Sequence, residues 1–179
     1  MNRFLKISWF GLMGLMTVQI LFHYPELPQR MASHFDFSGK PDDWMDKTTF
    51  FVVWIAMLAF MNLMVPLVNW LMKKAPRSLI NVPNKEIWMG TESNLKKLSK
   101  ILENTMLMMI LGVDLIFLYA LQHTYEYNTT GQAELMTGFL IVMIVVVMII
   151  PLVYLFRALR VTPEIRRRYE LEKARQSSE

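Results

Sequence analysis

Apolar residues run without a single charge from Phe50 to Met72 and again from Leu135 to Phe156. Each run exceeds the roughly 20 residues needed to carry a helix across about 30 Å of hydrocarbon. Ile7 to Phe22 is a shorter charge-free run, which Phe4 and Leu5 extend if Lys6 snorkels toward the headgroups. Asn104 to Gln122 is broken only by Asp114. The pattern predicts four spans, at about 4–23, 49–72, 101–122 and 135–157. The expected fold is an all-α integral membrane protein, a four-helix bundle with a short extracellular cap between the first two helices. Residues 1–160 form one membrane domain and 161–179 a basic cytoplasmic tail. The first run has a positive start but no small-residue cleavage site after it, and it reads as an uncleaved anchor.

The connections are polar and unlike one another. Residues 24–48 hold Pro25, Pro28, Gly39 and Pro41, so mostly turns are expected, with a short extended piece over Met31 to Phe37. Asp46 or Thr48 is placed to cap the second span, and Pro66 to kink it. After the second span, Pro76 and Pro83 bracket a short loop. From Thr91, Leu95, Leu98, Ile101 and Leu102 recur at helical spacing and predict one helix of about 30 residues continuing into the third span. The tail beyond Pro163 suits a charged helix or a disordered segment.

Charge then orients the pattern. Seven Lys or Arg lie between Lys73 and Lys100 and seven between Arg157 and Arg175, whereas Tyr24 to Thr49 has three basic against five acidic residues and His123 to Glu134 has none. Basic connections alternate with non-basic ones, which by the positive-inside rule puts both termini in the cytoplasm of a cell-membrane, multi-pass protein. The net charge of +4 thus reports topology and contact with membrane lipid, not nucleic acid. Cysteine is absent, which removes disulfides and thiolate metal sites. The 16 methionines are spread through the spans as adaptable packing.

Polar residues inside the spans are the first candidates for function. Glu103 and Asp114 are 11 apart, Asn62 and Asn69 are 7 apart, and Gln19 lies one turn before His23, so each pair shares a helix face. These five, Gln19, Asn62, Asn69, Glu103 and Asp114, form an expected intramembrane polar core between the first three spans, with the fourth facing lipid. Asp114 sits near mid-membrane, where an ionised carboxylate costs roughly 2.5–3.5 kcal/mol on insertion scales, so it should face inward. Asn62, at similar depth, is its expected partner. The plain alternative is that such groups only hold helices together by hydrogen bonds.

The second candidate is the segment His34-Phe35-Asp36-Phe37-Ser38-Gly39-Lys40-Pro41-Asp42-Asp43-Trp44, dense in chemically versatile side chains. All three histidines, His23, His34 and His123, fall at this end of the bundle, and imidazole with carboxylate can hold a divalent metal. No HExxH, phosphate loop or nucleophile elbow accompanies them, so neither a metal nor any other cofactor is assigned. In the plainer reading the segment is a folded cap, with Tyr24 and Trp44 in the aromatic belt and Phe35 and Phe37 packed on helix ends.

The outer segment, from Leu27-Pro28 through His34 to Trp44, resembles the signature of a bacterial membrane family, domain of unknown function 1648. His34, Asp36, Gly39, Pro41, Asp42 and Trp44 match it, while Asp43 stands where the family usually has Gly. A second stretch, Asn81-Val82-Pro83-Asn84-Lys85-Glu86-Ile87-Trp88, is similar to the family's Ile-Pro-Asn-Lys-x-x-Trp motif through Pro83, Asn84, Lys85 and Trp88. Read physically, that stretch is a turn with Lys85 at the phosphates and Trp88 anchoring it at the interface. Together the motifs cover about residues 5 to 100. The same domain begins Sdp-type immunity proteins, which protect a bacterium from its own secreted toxic peptide and signal to a repressor. The resemblance therefore implies a non-enzymatic binding, sensing or immunity-type module, meeting an extracellular peptide or envelope component and a cytoplasmic regulator. Two alternatives remain open: a metal-assisted membrane hydrolase using His34 and Asp36, and a transport or proton-relay module using Asp114.

Overall fold

The computed structural model describes residues 2–74, 76, 79–133 and 137–176. Its elements are α1 (Arg3–His23), β1 (Arg30–Phe35), β2 (Pro41–Asp46), α2 (Lys47–Lys74), α3 (Lys85–Met89), α4 (Glu92–Thr130), α5 (Thr137–Ala158) and α6 (Pro163–Gln176). α1, α2, α4 and α5 are each long and apolar enough to cross a membrane. The chain is a multi-pass, predominantly helical membrane protein, but not purely α: the two strands pair antiparallel.

α4 is the hub on which α1, α2, α3 and α5 all pack. At 39 residues it is roughly 58 Å long at 1.5 Å per residue, far more than the hydrocarbon thickness. Its start is where the sequence put it: the Thr91 hydroxyl accepts from the Asn94 N–H at 3.2 Å. Its end is not. The stretch after Gln122, expected to be a connection, stays helical until Gly131, whose φ of 74° supplies the left-handed cap. Nothing between them breaks a helix, since Thr124, Tyr125 and Glu126 are polar without being turn formers.

α5 is not merely a lipid-facing span. A Cβ on Gly112 of α4 would lie 2.5 Å from the Val147 side chain, so the missing side chain lets the two helices cross closely. Most of α5 is nonetheless turned outward, with Val, Ile and Met exposed along it. The Pro66 and Pro151 positions are both accommodated inside continuous helices.

α3 and α6 close the end of the bundle opposite the hairpin. Ile80, Trp88, Met89, Leu98, Ile101 and Ile165 form one apolar cluster there. The tail is therefore a helix built into the fold: Ile165 is buried, and Tyr169 lies over Gly90 where a Cβ would meet its ring at 2.3 Å.

Candidate functional site

The segment between α1 and α2 folds as a β-hairpin because its turn is specified twice. The Asp36 carboxylate accepts from the Ser38 N–H (2.8 Å), the Ser38 hydroxyl (2.7 Å) and the Lys40 N–H (2.9 Å). Gly39 takes φ 80°, a conformation in which a Cβ is strained. Pro41 then opens β2, the strand position a proline tolerates. The expected run of turns is thus a paired hairpin, with register shifts at Ala32/His34 and His34/Phe35.

Three groups fasten the hairpin to the helices. The Asn128 side chain of α4 accepts from the Ala32 N–H at 2.8 Å and donates to the Ala32 carbonyl at 3.0 Å, pairing with β1 as another strand would. The Lys47 ammonium donates to the Leu27 carbonyl at 2.9 Å and the Tyr24 carbonyl at 3.2 Å, serving groups left bare where α1 ends. Asp46 accepts from the Thr49 N–H at 3.1 Å and so caps α2. Met31 and Ala32 are both fully buried, Met31 among Leu27, Phe50, Phe51 and Leu121.

The motif residues divide sharply. His34 Nδ1 and Asp42 Oδ1 are 2.5 Å apart across the hairpin, with both side chains largely exposed. The Asp42 hydrogen bond, then its charge, raises the His34 pKa above 6.5. Asp36 is held below its usual range, first by the Ser38 hydroxyl and then by the Lys40 N–H. His34 and Asp36, named together in the hydrolase alternative, have separate partners: Asp36 is taken up by the turn and His34 is paired with Asp42. Trp44 is 44% exposed and Phe37 93% exposed, so Phe37 does not pack on a helix end, whereas Phe35 lies edge-on to His123 at 4.7 Å. His23 lies against the Tyr125 ring at 3.5 Å. Among the described residues no three His, Asp or Glu side chains gather as a metal-holding group.

The second motif is built to opposite effect. Asn84 takes φ 57°, φ 57° being left-handed and tolerable for Asn, and starts the single turn of α3. Trp88 then points inward with no exposed surface, its indole N–H donating to the Leu159 carbonyl at 3.3 Å. The interfacial anchor expected for Trp88 is corrected by this burial: α6 folds back over the motif and removes its indole from the surface. Asn94 ties the motif to α4 by donating to the Ile87 carbonyl at 2.9 Å. Pro83 is exposed and Lys85 half-buried.

Between the two motifs, the polar core is not one patch but three rungs along α4. Asn62 donates to Asp114 at 3.0 Å, and Trp9 of α1 donates to Asn62, so α1, α2 and α4 meet at the fully buried Asp114. The second Asp114 oxygen is buried without a hydrogen-bond partner. Toward the hairpin, Gln19 donates to Gln122 at 2.7 Å. Toward the opposite end, Asn104 donates to the Tyr154 hydroxyl at 3.2 Å and accepts from the Asn2 N–H at 2.9 Å. The rungs lie roughly 12 and 15 Å apart along the helix axis, too far for one hydrogen-bonded network. Glu103 is half-buried beside the last rung. Asn69 has its side chain outside the described residues.

Sequence reasoning missed Trp9, Asn128, Gln122 and Asn104. Helical spacing marked the faces of Gln19 and Asn62, but the partner across a helix gap depends on packing, and Asn128 lies in a stretch expected to be a loop.

This arrangement meets known families at one point. Residues 11–70 match the model of the family described as Domain of unknown function (DUF1648). The match takes in most of α1, the whole hairpin and α2 through Trp70, and stops short of the Asn81–Trp88 motif and of α4. The matched segment therefore contributes Asn62 and the hairpin, while Asp114 and Asn128 come from the remainder. No curated protein and no solved structure matches the chain.

Proposed function

We propose that this chain is a non-enzymatic sensing module of the bacterial cytoplasmic membrane. The hairpin faces outward and recognises an extracellular peptide or envelope component, and the opposite end reports to a cytoplasmic regulator. One observation carries the reading: both motifs are fastened to the same helix, the hairpin through Asn128 and the Asn81–Trp88 turn through Asn94. A continuous helix is stiff, so a displacement at one end has a physical route to the other. The alternation of basic connections supports an outward hairpin with both termini inside. Exposed Trp44, Phe37, His34 and Asp42 offer a partner aromatic and charged contacts without a catalytic constellation.

The experiment is hydrogen exchange of the full chain in nanodiscs, with and without cationic envelope-acting peptides, paired with sensitivity of a deletion strain to the same peptides. Protection in residues 30–46 accompanied by a change in residues 85–101, both lost in Trp44→Ala, supports the reading. Unchanged exchange and unchanged sensitivity across the peptide set defeat it.

One observation favours a second reading. The unpartnered Asp114 oxygen is a proton-accepting group held in the bundle, which suits a proton-relay or transport module. Proton flux in liposomes that persists in Asp114→Asn would remove it.

A further inference from the structure

We infer that α6 is a reversible cover over the Asn81–Trp88 motif, and that its seat is a docking surface for a partner helix carrying an aliphatic and an aromatic side chain four residues apart. The partner's cytoplasmic place rests on the sensing reading above; the cover and its seat do not.

α6 is 14 residues long and meets the bundle along one narrow line. Among its described side chains only Ile165 is buried, with Tyr169 and Glu172 half-buried at the i+4 and i+7 positions. Arg166, Arg167, Arg168, Glu170, Leu171 and Lys173 are exposed. A helix that packs a core as its permanent wall carries an apolar stripe at least about 100° wide. Here the stripe is one aliphatic and one aromatic residue, and then a glutamate.

The seat is more specific than the helix that fills it. Ile165 enters the cluster of Ile80, Trp88, Met89, Leu98 and Ile101. The Tyr169 ring lies against Gly90, where a Cβ would come within 2.3 Å of it. An apolar cluster and a bare glycine thus receive two side chains of stated shape, and α6 itself shows the pattern that fits. α5 keeps a separate hold on the motif, since the Trp88 indole N–H donates to the Leu159 carbonyl. α6 can therefore swing about the non-helical residues 160–162 without breaking that bond. Its first turn is also set locally: the Thr162 carbonyl accepts from the Arg166 N–H at 3.1 Å, and Glu164 pairs with Arg168 at 2.6 Å. Burial of one isoleucine and part of one tyrosine holds such a cover shut on the order of a hundredfold to a thousandfold. That hides the seat, yet leaves it open to a competing helix of the same pattern.

The test is hydrogen exchange and peptide binding on the full chain in nanodiscs, with a labelled peptide of residues 160–176 as the competing helix. Exchange in α6 should be slowed by about that closing factor and no more, far less than in α4 around Leu107. Ile165→Asp should release α6, leave α4 protected, and raise affinity for the peptide by about the same factor, because the seat then stands open. A peptide carrying Ile165→Asp should not bind the opened chain. The milder Tyr169→Ala should raise exchange in α6 about tenfold and nowhere else. Protection of α6 equal to that of α4, loss of protection through α4 in either variant, or an opened chain that ignores the peptide would each overturn the assignment. No extracellular ligand enters these measurements, so their failure is distinct from failure of the sensing reading.

Discussion

Two tryptophans in look-alike contexts mark the difference between the two ends of this molecule. Trp44 follows Lys40-Pro41-Asp42-Asp43 and Trp88 follows Pro83-Asn84-Lys85-Glu86-Ile87, each a short stretch rich in Pro, Lys and Asn or Asp. Trp44 is 44% exposed; Trp88 is wholly buried. The hairpin end is fastened by hydrogen bonds to backbone over an apolar cluster and presents Phe37 and Trp44 outward. The opposite end is held by apolar packing and hides its tryptophan under α6. Similar motif chemistry thus yields a surface at one end and a core at the other, decided by whether a later element covers it.

The sharpest way to break that contrast is to truncate both rings. Trp88→Ala should cost about 3–5 kcal/mol, as for a large core residue, whereas Trp44→Ala should stay within about 0.5 kcal/mol, as for a surface residue. Unfolding of the two variants in the same detergent reads the difference; equal losses would mean that the ends are built alike. Next in size is Asn128→Ala, which leaves both backbone groups of Ala32 bare and should cost about 1–3 kcal/mol. Hydrogen exchange should rise in residues 30–35 and stay unchanged around Trp88, and a rise at both ends would show that α4 couples them energetically.

Gly39→Ala, forcing a Cβ into the left-handed region, should cost about 1–2 kcal/mol and loosen the hairpin alone. The smallest effect concerns pH. His34 is raised above 6.5 by Asp42, so its contribution is fully present below that value and is lost as pH rises through the folded pKa. Asp36, depressed below 3.8, contributes above that value and loses it as pH falls through its folded pKa. Both groups are exposed, so NMR titration is the suitable readout. Asp42→Asn should return His34 toward its ordinary value, and a His34 titration indifferent to that change would show that the pair does not persist in solution.

Much of this was legible in the linear chain, and particular residues say why. The four apolar helices follow from runs such as Phe50 to Met72, because water-to-hydrocarbon transfer acts on each residue locally. The Thr91 start of α4 and the Asp46 cap of α2 are likewise read from neighbours in sequence. Asn62 and Asp114 were matched by depth, and the structure places them 3.0 Å apart. The hairpin was harder: Asp36 and Gly39 spell a turn, but antiparallel pairing with bulges depends on Asn128, nearly 100 residues away. Trp88 was misplaced because its burial depends on α6, which lies beyond α4 and α5.

The sequence by itself determined that this chain has four apolar helices long enough to cross a membrane, where most of its turns and caps lie, and that a polar, turn-rich segment joins the first two. Those properties rest on hydropathy, helical periodicity and backbone-to-side-chain bonds within a few residues. Tertiary structure alone decided that α4 is the common post, that the polar core divides into three rungs along it, and that one tryptophan is shown and the other hidden. Each of these turns on which groups meet across gaps between helices, and a polar or aromatic residue carries no local sign of what will cover it.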